Sequence, residues 1–63
     1  MNSTALSVSV RDAALLTSFS EYEIRNAINK NELPAIKRGR RLAILTTDLD
    51  AWLRALPKAG DAA

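Results

Sequence analysis

The chain contains no cysteine and no histidine. Disulfide cross-links, thiol redox chemistry, zinc held by Cys or His, and any histidine-based catalytic triad are thereby excluded. Aromatic residues are scarce as well, with one Phe, one Trp and one Tyr. No apolar run approaches the roughly 18 residues that span a bilayer, and the opening residues lack the charged, apolar and cleavage regions of a secretory signal. What remains is room for one domain of 63 residues. Thirty residues are hydrophobic, but eleven of these are alanine, which leaves nineteen larger apolar side chains for a core. A core built from so few has none to spare for a deep substrate pocket. The composition therefore predicts a small, cytoplasmic, non-enzymatic domain without metal or cofactor.

Charge is nearly balanced overall, at +2, but it is unevenly placed. Residues 1–29 and 46–63 each sum to −1, whereas residues 30–45 sum to +4. Most of that excess sits in Lys37-Arg38-Gly39-Arg40-Arg41. Such a run suits a solvated surface as well as a phosphate-binding tip, so its setting has to decide.

Leu6-Ser7-Val8 alternates apolar and polar, which allows a short strand. Ser9, with Asp12 at the third helical position, outlines a capping box and opens a first helix over about residues 10–17. Asp reaches back less well than Glu, so this box is the weaker of two. Thr17-Ser18-Phe19 forms a short break. Ser20-Glu21-Tyr22-Glu23 is a full S-x-x-E box, and Ile24, Ala27 and Ile28 give the second helix one apolar face. Its other face carries Glu21, Tyr22, Arg25, Asn26 and Asn29. The helix is expected to end near Lys30, with Asn31 left-handed and Pro34 forbidding continuation. Two helices so joined fit an ordinary αα-hairpin as well as a helix-turn-helix.

Ile36 and the pair Leu42 and Ile44 sit at strand period, with Gly39 at the reversal. This predicts a two-residue β-hairpin whose tip presents Lys37, Arg38, Arg40 and Arg41. Thr46 or Thr47 is expected to cap a last helix, with Asp48 and Asp50 in its first turn and Leu49, Trp52, Leu53 and Leu56 as its apolar stripe. Pro57 ends it. The expected organisation is a flexible N-terminus over residues 1–5, one domain over 6–56, and a flexible tail over 57–63. The fold class is mainly α with a small β-hairpin: a winged helix-turn-helix with a two-stranded basic wing and a closing C-terminal helix.

The segment from Leu6 to Leu53 resembles the excisionase-type DNA-binding domains, relatives of the MerR-type winged helices. Val8-Ser9-Val10-Arg11-Asp12-Ala13-Ala14, Ser20, Glu32-Leu33-Pro34-Ala35-Ile36-Lys37-Arg38-Gly39-Arg40-Arg41-Leu42 and Asp48-Leu49-Asp50-Ala51-Trp52-Leu53 carry the resemblance, the last two in combination being the most specific. Leu33-Pro34 redirects the chain into the wing, and Trp52 and Leu53 are expected to cover the hairpin's apolar face. The chain departs from its relatives at Ser18 and Asn31, where they usually have Gly, and at Thr17, where they have Leu. It also places carboxylates, Glu21 and Glu23, early in the second helix, where relatives often show small or basic residues. Glu23 is assigned to capping; Glu21 either faces solvent or accepts a hydrogen bond from a cytosine amino group.

The resemblance implies the second helix in a major groove and the wing in the adjacent minor groove of double-stranded DNA. Tyr22, Arg25, Asn26 and Asn29 then reach base edges or phosphates, Arg40 and Arg41 enter the minor groove, and Lys37 and Arg38 hold phosphates, with Arg11 a weaker phosphate candidate. The expected role is that of an excisionase, or recombination directionality factor, from a phage or integrated element in a bacterial cytoplasm. Such a protein binds side by side at attachment-site DNA, associates with itself cooperatively, bends the duplex and directs a partner integrase toward excision. A small operator-binding regulator, or a protein-interaction module with no nucleic-acid target, are the alternatives.

Overall fold

The computed structural model describes residues 5–59. Of the flexible ends expected over residues 1–5 and 57–63, residues 1–4 and 60–63 lie outside the described residues. The elements run in the order β1 (Ser7–Val8), α1 (Val10–Thr17), α2 (Glu21–Asn29), β2 (Ile36–Arg38), β3 (Arg41–Leu45) and α3 (Thr46–Ala55). This is a winged helix-turn-helix: two helices joined by a short turn, a basic hairpin, and a closing helix. Among the described residues no helix is long and apolar enough to cross a membrane.

Both helix-opening signals act as the sequence indicates, though not equally. The Ser9 Oγ accepts from the Asp12 amide at 3.0 Å, but the Asp12 carboxylate returns no bond to the cap. At α2 the box is complete: the Glu23 amide donates to Ser20 Oγ at 3.1 Å, and the Ser20 amide donates to Glu23 Oε1 at 3.1 Å. One extra methylene makes the difference.

The turns are closed by left-handed residues other than glycine. Ser18 has φ +66° and Asn31 has φ +62°. At the end of α2 the Glu32 amide donates to the Ala27 carbonyl (2.9 Å) and the Asn31 amide to the Ile28 carbonyl (3.0 Å). This is the Schellman pattern, which satisfies carbonyls that the helix leaves open. Thr17 contributes to the first turn: its hydroxyl donates to the Ala13 carbonyl at 2.8 Å and accepts from the Phe19 amide at 3.3 Å.

The wing is part of a larger sheet than the two-stranded hairpin expected. All pairing is antiparallel in the order β1-β3-β2, with Val8 opposite Ile44, Lys37 opposite Leu42, and Arg38 opposite Arg41. The short strand that the Leu6-Ser7-Val8 alternation allows is thus used, and it makes β3 the central strand. Gly39 has φ +61°, whereas Arg40 does not take positive φ, the pattern of a type II′ turn with glycine first.

The core is smaller than the apolar count indicates. Val10, Ala13, Ala14, Ile24, Ala27, Leu33, Ile44 and Leu49 are buried, and three of these eight are alanine. α1 meets its neighbours through the small Ala13–Ala14 face, so Leu15 and Leu16 fall on its outer side and remain 71% and 67% exposed. A helix in a domain this thin has only one stripe to bury.

The last helix corrects three expectations. Its N-cap is Leu45, with no side-chain cap bond, because β3 runs into α3 without a loop. Thr46 is therefore already helical. Its hydroxyl turns back to the N-terminal segment, donating to the carbonyls of Ala5 (3.1 Å) and Leu6 (3.4 Å), while its amide donates to Leu6 at 3.0 Å. Asp48 lies in the first turn, but Asp50, two residues later, falls just beyond it and pairs with Arg54 at 3.1 Å. Trp52 reaches Phe19, edge to face, with ring centroids 5.6 Å apart at 81°. It thus locks α3 to the turn between α1 and α2, while Leu49 takes the buried place in the stripe.

Candidate nucleic-acid interface

The basic run of the sequence is divided by the strand alternation and the turn. Lys37 and Arg38 stand exposed on β2, whereas Arg40 and Arg41 line an open cleft of about 510 Å³ between the wing and the starts of both helices. Arg25 from α2 and Arg11 from α1 line the same cleft. Four arginines from separate parts of the chain thus line one cleft, and the carboxylates Asp12 and Glu21 line it with them.

None of these cations forms an ion pair among the described residues. Among the described residues the ion pair present is Asp50–Arg54, on the outside of α3. Arg11, Arg25, Lys37, Arg38, Arg40 and Arg41 all lie outside it. At the wing tip Arg38 stands directly across from Arg41, and like charges so placed disfavour strand pairing. The planar fork of Arg suits both phosphate and guanine, so such a surface is chemically able to take an external anion.

α2 presents its exposed face beside this cleft. Tyr22 is 76% exposed, and Arg25 and Asn29 are exposed with it. Asn26 differs: it is half-buried and lines a second groove, with Glu23, Trp52 and Leu56, on the side toward α3. The eight site candidates thus do not form one patch. Arg25, Arg40 and Arg41 share the cleft, Tyr22 and Asn29 lie on the adjoining helix face, Lys37 and Arg38 flank it on β2, and Asn26 stands apart. Arg11, Asp12 and Glu21 also line the cleft, although the sequence places none of them among the eight candidates. Helix periodicity shows which residues are outward, but only the packing of α2 against α1, and of α1 against β3, shows which edge turns to the wing.

A protein-family model described as a helix-turn-helix domain matches residues 7–57, from the first residue of β1 to just past α3. The chain belongs to that helix-turn-helix family. No curated protein and no solved structure matched the chain. Helix-turn-helix membership supports sequence-specific binding of double-stranded DNA. The match also includes β1 and α3, so the third strand and the closing helix belong to the helix-turn-helix unit.

Proposed function

We propose that the protein is an excisionase-type recombination directionality factor, a non-catalytic architectural protein that acts on attachment-site DNA. The observation that carries the DNA-binding part is the cleft, in which the wing, α1 and α2 bring Arg11, Arg25, Arg40 and Arg41 together; Asp12 and Glu21 line it too, but among the described residues neither forms an ion pair with them. With α2 in a major groove and the wing in the next minor groove, the phosphodiester strand that separates the two grooves runs along this cleft. Arg40 and Arg41 then meet the minor groove, whose negative potential favours guanidinium. Lys37 and Arg38 hold phosphates, fixing register without reading sequence. Tyr22, Arg25 and Asn29 face base edges; Asn26, turned toward α3, reaches at most the backbone.

The excisionase part is supported by the combined Glu32–Leu42 and Asp48–Leu53 resemblance. A domain with so few contacts binds a single site modestly, so useful occupancy comes from several copies side by side, self-associating and meeting a recombinase. Footprinting on a selected duplex, with gel mobility of circularly permuted fragments, tests this. Several adjacent protected sites with a bend are expected. One protected, unbent site would indicate an operator-binding regulator instead, and no protection at low salt would indicate a protein partner for the wing.

A further inference from the structure

We infer that Glu21 is a specificity-determining residue that accepts a hydrogen bond from a cytosine amino group in the major groove; this rests on the DNA-binding reading above. Glu21 is the first residue of α2, it is exposed, and it lines the cleft that holds Arg11, Arg25, Arg40 and Arg41. The helix cap does not use it, because Ser20 and Glu23 complete the box between them. Nor does it neutralise its neighbours. Arg25 lies four residues on, the spacing and orientation most favourable for a helix ion pair, yet the pair among the described residues is Asp50–Arg54.

A carboxylate left free in this cleft must meet something when DNA enters. Phosphates repel it, so its place in the complex is against a base edge that donates. In the major groove two bases donate, cytosine through N4 and adenine through N6. Adenine sets its N7 acceptor beside N6, which a carboxylate opposes; cytosine presents its amino group without a neighbouring acceptor of its own. The ionised carboxylate, which can only accept, therefore selects cytosine. The i, i+4 relation then places the Arg25 guanidinium within reach of a neighbouring base pair, where guanine N7 and O6 are its natural partners. The carboxylate at the helix start also gains from the macrodipole, but that contribution is blind to base identity.

The test is selection of preferred sites from a randomised duplex library at low salt, by the wild-type chain, E21Q and E21A, with thermal melts of all three. The wild type is expected to select cytosine at one position by about tenfold over other bases, as one charge-assisted contact supplies. E21Q is expected to move the preference at that position alone toward adenine, which glutamine pairs bidentately. E21A is expected to flatten it while other positions keep their preferences. Identical profiles for all three proteins, with E21A binding every duplex more tightly, would overturn the inference: the carboxylate would then only repel phosphates. If the wild type binds no duplex at all, the DNA-binding reading itself fails, a different result from unchanged profiles. E21Q keeps the side chain's shape, so it remains informative even where E21A melts early.

Discussion

Replacing Arg40 and Arg41 together by alanine gives the sharpest test of the cleft. Setting Arg25 aside for a base edge, five cations remain for the backbone and minor groove: Arg11, Lys37, Arg38, Arg40 and Arg41. All are exposed, and none belongs to the Asp50–Arg54 pair. Each neutralised phosphate releases counterion and contributes about −0.9 to the slope of log K against log salt, so the wild-type slope is about −4.5 and that of the double variant about −2.7. Between about 50 and 200 mM salt the wild type then loses roughly 500-fold in affinity and the double variant roughly 40-fold. The two curves converge as salt rises, because what the variant lacks is electrostatic. Fluorescence anisotropy on a mixed-sequence duplex, titrated with KCl, measures both slopes. Thermal melting serves as the control: both arginines are exposed, and losing Arg41 removes like-charge repulsion from Arg38, so the fold should hold or gain slightly. Parallel salt lines for the two proteins would refute the assignment of these arginines to DNA.

Ile44→Ala empties the centre of the sheet, where the side chain is fully buried, and should cost about 3 kcal/mol, enough to unfold most of a domain this small by circular dichroism at 25 °C. Trp52→Ala, at a half-buried site that also loses the Phe19 contact, should cost about 2 kcal/mol and lower the melting temperature without abolishing the fold. Ser18→Gly relieves a left-handed serine and should stabilise by about 1 kcal/mol in urea unfolding, with no change in DNA affinity. Thr46→Val removes the hydroxyl that holds the Ala5 and Leu6 carbonyls and should cost about 1 kcal/mol, whereas Thr47→Ala should lie within about 0.5 kcal/mol of wild type; equal losses at the two positions would restore Thr47 as a cap.

The sequence showed what depends on near neighbours. Ser9 and Ser20 begin α1 and α2, Asn31 and Pro34 close the second helix, and Gly39 places the reversal, because each acts within four residues of itself. Where the answer depended on distant chain, the signal was partial. Residues 6–8 allowed a strand, but nothing local told of its pairing with residues 44 and 45. Thr46 looked like a cap because a cap residue is recognised by type, whereas its position relative to the helix start was set by β3 entering α3 without a loop. Nineteen large apolar residues indicated a fuller core, yet Leu6, Leu15 and Leu16 stand outside because the domain has no further layer to cover them. The same limit applies to the interface. Arg25 and Asn26 lie toward opposite edges of the polar face of α2, about 100° apart on the helical wheel, and tertiary packing decides which edge meets the arginine cleft and which the side of Trp52.

The direct passage from β3 into α3 has a mechanical meaning. From Arg41 to Ala55 the chain runs as strand and helix without an intervening hinge, and β1 clamps the strand on the edge away from β2. The wing is thus continuous with the body through β3, and α1 lies between that sheet and α2. When two objects of unequal compliance are pressed together, the softer one takes up the misfit. If the wing and α2 dock in adjacent grooves as proposed, a groove spacing that does not suit their separation would be met by bending or narrowing of the DNA. The deformability of base steps that no side chain touches, pyrimidine–purine steps above all, then enters the affinity directly.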